Sequence, residues 1–262
     1  MRHRALLAGL TGLLTLLVAG CGDDTGPPAA SAPASPPPSA ALPPEASPSP
    51  TRTVAPKPRL RPLPAKLPAG LVRTTGSEKV ALTFDDGPSP TWTPKVLDQL
   101  KAAKVKATFC VVGTQVRKHP ELLRRIVREG HQLCNHSWNH DLDLARRPIP
   151  EIRADLVRTN REIRRAVPDA KVPFYRQPGG RWTAEVVKVA KQLDMRSLHW
   201  TIDPKDWAKP SATTIEKRVK RSARPGAVVL LHDGGGNRSA TLAACSKLIT
   251  VLKRDHGVSK IA

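Results

Sequence analysis

The 262 residues carry 43 basic and 22 acidic side chains, a formal net charge of +21, and 39% of them are hydrophobic. That apolar share excludes a wholly disordered chain, and the charge suits an anionic setting: wall polymers, anionic lipid or nucleic acid. No aromatic residues interleave with the basic ones as in single-strand binders, which together with an exported start argues against nucleic acid.

The N-terminus reads Met1-Arg2-His3-Arg4, an apolar run from Ala5 to Ala19, then Cys21. A basic start, a short apolar stretch and small residues predict a secretory signal over residues 1–20. Its end, Leu17-Val18-Ala19-Gly20-Cys21, resembles the bacterial lipoprotein signal, which implies cleavage before Cys21 and lipidation of its sulfur; the plain alternative is an ordinary signal peptide that contains a cysteine. The run is too short and Gly-interrupted for a transmembrane helix. Residues 21–76 hold Ser35-Pro36-Pro37-Pro38 and Ser47-Pro48-Ser49-Pro50 with almost no apolar periodicity. Such composition does not offset chain entropy, so the segment reads as a disordered tether. The protein is therefore expected outside the cell, held at the outer face of the membrane. The domain, residues 77–262, retains a net charge of +16 and is long enough for one sizeable core.

Within the domain, short β-branched runs alternate with helical stretches. Strands are predicted over Val80–Phe84, Ala107–Val112, Gln132–Cys134, Pro173–Tyr175, Ser197–Trp200, Ala227–Leu231 and Val258–Ile261. Helices are predicted over Thr93–Ala103, Pro120–Glu129, Pro150–Val167, Ala184–Leu193, Thr213–Ser222 and Ala240–Arg254. This alternation implies a parallel sheet with helices outside it, either open or closed. Nearly every strand ends in chemically capable residues, which favours a barrel whose strand ends converge on one site.

Asp85-Asp86-Gly87-Pro88 sets two carboxylates at a strand end, one able to bind metal while the other faces substrate. Alone, it is equally an ordinary solvated turn. His136-Ser137-Trp138-Asn139-His140 puts two histidines on one face if the segment is helical. With one carboxylate they make a three-ligand site open to water and substrate; the plain alternative is two surface histidines. Arg176-Gln177-Pro178-Gly179-Gly180 offers a cation and backbone donors. Asp203-Pro204-Lys205-Asp206-Trp207 and Leu230-Leu231-His232-Asp233 follow or end strands, where a histidine can act as an acid oriented by a carboxylate.

These five segments, in this order, resemble the polysaccharide deacetylase family, the NodB-homology domain of carbohydrate esterases, over about residues 77–262. The resemblance implies a distorted seven-stranded β/α barrel and a hydrolase removing N-acetyl groups from a cell-envelope polysaccharide. It implies Asp86, His136 and His140 as ligands of a divalent metal, zinc first, with cobalt or nickel as alternatives. It implies Asp85 as general base tuned by Arg176, and His232 as general acid tuned by Asp206. Gly179 would supply an oxyanion N–H, and Trp207 and Leu230 would shape the acetyl pocket. The family usually has Tyr where this chain has Gly179, so a looser sugar subsite is expected here.

Peptidoglycan N-acetylglucosamine or N-acetylmuramic acid is the expected substrate, with chitin oligomers or acetylated xylan as alternatives. A catalytically weak glycan-binding lipoprotein and a non-haem iron oxygenase on the same ligand set are the competing classes. A monomer is expected. Cys110 and Cys134 are candidates for a disulfide on neighbouring strands.

Overall fold

The computed structural model describes residues 60–262. The signal segment, Cys21 and most of the tether lie outside the described residues. Seven strands form one parallel sheet: β1 Leu71–Val72, β2 Ala81–Asp85, β3 Thr108–Val111, β4 Gln132–Asn135, β5 Phe174–Tyr175, β6 Arg196–Leu198 and β7 Val228–His232. Their order is β1-β6-β5-β4-β3-β2-β7. The two ends of that order approach each other through single bridges, Ile202 with Val229 and Thr74 with Ala227. The result is the distorted seven-stranded β/α barrel expected from the sequence.

The helices are α1 Thr93–Ala102, α2 Gly113–Lys118, α3 Pro120–Arg128, α4 Ile149–Ala166, α5 Ala184–Gln192, α6 Ala212–Ser222 and α7 Ser239–Asp255. Local chemistry sets several boundaries. Pro sits in the first turn of α1, α3 and α4, where its missing N–H costs nothing. The Thr183 side chain accepts from the Val186 N–H to cap α5, and Ser211 accepts from the Thr214 N–H to cap α6.

Side-chain alternation along the strands divides the core in two. Ala81, Cys110, Cys134, Phe174, Leu198 and Val228 cluster on one face of the sheet. Leu82, Phe84, Phe109 and Leu231 pack on the other with Leu97, Leu123, Leu156 and Leu248 of the helices. Every residue of β2 and β7 is buried, so the strands that carry the site are among the least yielding parts of the molecule.

Two features depart from the sequence reading. Val258–Ile261 is not a strand; it makes one parallel bridge, Val258 with Val80, and the following residues run irregularly to the terminus. Leu71–Val72, read as the end of the tether, instead forms the edge strand β1 beside β6. Two residues in Pro-rich surroundings carry no periodicity, and only the exposed edge of β6 makes them a strand.

Cys110 and Cys134 lie opposite each other in register on β3 and β4, their Cα atoms 4.2 Å apart, and form a disulfide. Cys245 is free and buried. The bridge spans 24 residues, for which loop-closure entropy gives roughly 3 kcal/mol. The paired substitution Cys110→Ala, Cys134→Ala is expected to lower unfolding stability by about that amount in a denaturant titration. No change in the denaturation midpoint would show that the bridge does not constrain the unfolded chain.

Candidate active site

The C-terminal ends of β2, β4, β5, β6 and β7 and the loops after them surround one cavity of about 410 Å³. Asp85, Asp86, His136, His140, Gly179, Trp207, Leu230 and His232 all line it. Arg176 and Asp206 stand behind that lining, so every domain residue picked from the sequence falls at this one place.

The ligand set is assembled by turns, not by a helix. Asp86 follows β2 with φ 74°, and Ser137 (φ 65°) and His140 (φ 59°) bend the chain after β4. The helical pairing of His136 and His140 is therefore corrected: they meet because two residues adopt left-handed backbone. Around them Asn135 anchors the loop. Its side chain accepts from the Ser137 N–H at 2.9 Å and donates to Asn160 Oδ1 at 2.9 Å and Leu156 O at 3.0 Å. Asp155 of α4 accepts from the Trp138 N–H at 2.8 Å.

Asp86, His136 and His140 each present a ligand atom within 4.8 Å of the others. Asp86 Oδ1 lies 3.2 Å from His140 Nε2 and 3.5 Å from His136 Nε2, and it is buried without a hydrogen bond. Ligand bonds of about 2.1 Å at tetrahedral angles require donor separations of about 3.4 Å. An orphaned carboxylate oxygen at those distances from two imidazole nitrogens fits a divalent cation. His136 Nδ1 pairs with the Arg176 carbonyl at 2.8 Å, which fixes the tautomer and leaves Nε2 for the ligand position. Burial alone would raise the Asp86 pKa, but the facing imidazoles, His136 foremost, outweigh it and hold the carboxyl well below its ordinary range.

Asp85 is 3% exposed and ends β2 beside that triad. Arg176 Nη1 donates to its Oδ1 at 2.6 Å. The guanidinium is fully buried and otherwise satisfied by Thr83 Oγ1 at 2.9 Å and the carbonyls of Leu198 and His199 at 3.2 Å. A buried cation so fully bonded cannot rotate away, so Asp85 is held through one oxygen. Its Oδ2 faces His136 Nε2 at 3.6 Å.

His232 closes the opposite wall. Its Nδ1 meets Asp206 Oδ1 at 2.7 Å, and its N–H donates to Asp206 Oδ2 at 2.9 Å. Burial opposes the charged imidazole, but the hydrogen bond and charge of Asp206, with Asp86 and Asp85 beyond, lift its pKa to about 9. With Nδ1 engaged, Nε2 is the nitrogen left for chemistry. Because the raised pKa keeps His232 protonated below that value, an acid role survives neutral pH and is lost as pH climbs through it. Asp206→Asn removes the main raising influence, so the alkaline limb of kcat/KM is expected to move to lower pH. An unchanged limb would sever the Asp206–His232 assignment.

Several contributors were not foreseen. Arg238, 4% exposed, donates to the carbonyls of Gly234 at 2.6 Å, Gly235 at 2.9 Å and Asp206 at 3.3 Å. It ties the turn bearing Asp206 to the loop after β7, and Thr241 Oγ1 donates to Asp206 Oδ2 at 2.9 Å. Gly234 presses on the metal turn: a Cβ there would lie 2.2 Å from the Asp86 carbonyl, so only glycine fits. Leu142, Gln177, Arg181, Trp200 and Asp203 also line the cavity. Leu142 stands beside Gly179. Gly179 has φ 62°, and a Cβ built on it would approach Leu142 Cδ2 to 3.0 Å. Leu142 therefore borders the space a side chain at 179 would take. Trp200 ends a predicted strand and was open to notice there; Leu142, in an irregular loop, carried no signal.

The sequence profile described as polysaccharide deacetylase matches residues 72–198. A chitooligosaccharide deacetylase of Bradyrhizobium sp. is 42% identical over 191 residues, covering 69% of this chain and 87% of that protein. A peptidoglycan-N-acetylglucosamine deacetylase of Bacillus cereus is 38% identical over 192 residues, covering 71% of this chain and 89% of that protein. Among solved structures, a CE4 family pseudoenzyme from Bacillus anthracis superposes with a TM-score of 0.68 at 32% identity, covering 74% of this chain and 68% of that one.

Proposed function

The chain belongs to the polysaccharide deacetylase family, and from that premise we propose that it removes N-acetyl groups from peptidoglycan in a metal-dependent reaction. One observation supports this above others: the Asp86–His136–His140 triad, Asp85 backed by Arg176 and His232 backed by Asp206 converge on a single cavity. A fold shared with a pseudoenzyme does not argue for activity; a complete set of acid, base and ligand groups does.

A divalent cation held by the triad, zinc in our reading, would supply Lewis-acid polarisation of the acetyl carbonyl and acidify water at the site. Asp85 takes the proton from the attacking water through its free Oδ2, while Arg176 keeps the carboxylate oriented. The Gly179 N–H faces the developing oxyanion. His232 Nε2 delivers a proton to the departing nitrogen as the C–N bond breaks. The balance is one water consumed, acetate and a free amine formed. Trp207, half exposed, and Leu230, buried, bound the space for the acetyl group.

The peptidoglycan assignment draws on the exported, basic and tethered character of the chain. We place it at the outer face of the cell membrane, anchored through a lipidated Cys21 and acting as a monomer. Cys21→Ala is expected to release the protein from the membrane fraction, and continued pelleting with membranes would overturn the anchor. The substrate is tested by measuring acetate release from purified peptidoglycan, chitin oligomers and acetylxylan in parallel. Peptidoglycan is expected to give the highest kcat/KM, and a preference for acetylxylan would replace the amide reading with an ester one.

A further inference from the structure

Beyond the catalytic cavity lies a second depression of about 380 Å³, lined by Thr201, Asp203, Lys205, Arg218, Arg221 and Ser222 among others. Asp203 lines both cavities, so the Asp203–Trp207 segment is the partition between them. Three cations face one carboxylate in this second space. Asp203 is already engaged, its Oδ1 accepting from the Lys205 N–H at 2.7 Å. The single carboxylate of α6, Glu216, is buried and directed to Lys220 at 3.9 Å and Lys247 at 3.5 Å. Among the described residues, Lys205, Arg218 and Arg221 therefore have no carboxylate oxygen within 4 Å. Arg218 is fixed instead by donating to the Pro204 carbonyl at 2.8 Å, which points its charge along the partition.

We propose that this depression is a subsite for a carboxylate on the glycan, so that the enzyme selects polymers bearing acidic substituents over neutral ones. It rests on the deacetylase reading, since it takes the sugar in the catalytic cavity as the anchor. A glycan leaving that cavity over Asp203 brings a substituent within reach of Lys205, Arg218 and Arg221. Guanidinium forks match carboxylates bidentately, and Lys205 adds an adaptable charge. Nothing in this geometry rewards a neutral chitin chain.

The test compares the full-length, zinc-loaded protein on peptidoglycan fragments with free stem carboxylates and on the same fragments amidated. The wild type is expected to favour the acidic form about tenfold in kcat/KM at low salt, with the preference shrinking as salt is added. Lys205→Ser with Arg221→Ser is expected to erase the preference, chiefly through KM, while Lys205→Arg with Arg221→Lys keeps it. Equal kcat/KM on the two wild-type substrates, or a preference that survives the double serine variant, would overturn the subsite. If the wild type releases no acetate from either form, the deacetylase reading fails separately. Calorimetric binding of the same two fragments then decides the subsite, with loss of the acidic preference in the serine variant supporting it and identical affinities refuting it.

Discussion

Replacing His136 by Ala is expected to abolish metal binding and acetate release together. His136 is 2% exposed, its Nδ1 is committed to the Arg176 carbonyl, and its Nε2 stands 3.5 Å from the orphaned Asp86 Oδ1. Alanine leaves two ligands, Asp86 and His140, of which His140 is the more open to solvent. Loss of an outer-shell partner alone typically weakens metal affinity 10–100-fold, so removing a direct ligand is expected to exceed that range. Equilibrium dialysis followed by elemental analysis measures it, with circular dichroism confirming that the fold persists. A variant that kept one equivalent of zinc would exclude His136 from the ligand set.

The second large effect separates binding from chemistry. Asp85→Asn keeps the shape of the side chain and its neighbour Arg176 but removes the proton acceptor. Turnover is expected to fall about 10²–10⁴-fold, the range for losing a positioned general base, while zinc content stays at one equivalent. The contrast with His136→Ala carries the argument, because the two residues sit side by side with Oδ2 of one 3.6 Å from Nε2 of the other. If Asp85→Asn lost the metal as well, Asp85 would be a ligand and the base would have to be sought elsewhere. If it retained full turnover, the base assignment would be wrong.

Much of this was readable in the chain because the chemistry sits where periodic segments stop. β2 and β7 are fully buried, mostly apolar runs, and each ends on a charged or titratable residue, Asp85 and His232. Arg176 and the Asn135–His136 step follow β5 and β4 in the same way. Parallel register then brings these ends to one side, with Asp85 opposite His232 and Cys110. What escaped was set by tertiary context. The left-handed backbone at Ser137 and His140 that brings His140 to Asp86 is set by the folded loop and leaves no periodic signature in the chain. Arg238 and Thr241 reach Asp206 across 32 and 35 positions, and Leu142 finds Gly179 only in the folded loop. The two cysteines Cys110 and Cys134 carry no pairing signal in the chain, and the register of β3 and β4 sets them opposite each other.

Acetate release from N-acetylated peptidoglycan by the full-length protein, stripped of metal and then reloaded with zinc, tests the central claim most directly. Stripped protein is expected to be inactive. Zinc is expected to restore release of acetate in equal amount to new free amines on the glycan. Acetate release that persisted unchanged in the stripped protein, or a zinc-loaded protein that released none, would contradict a metal-dependent deacetylase built on Asp86, His136 and His140.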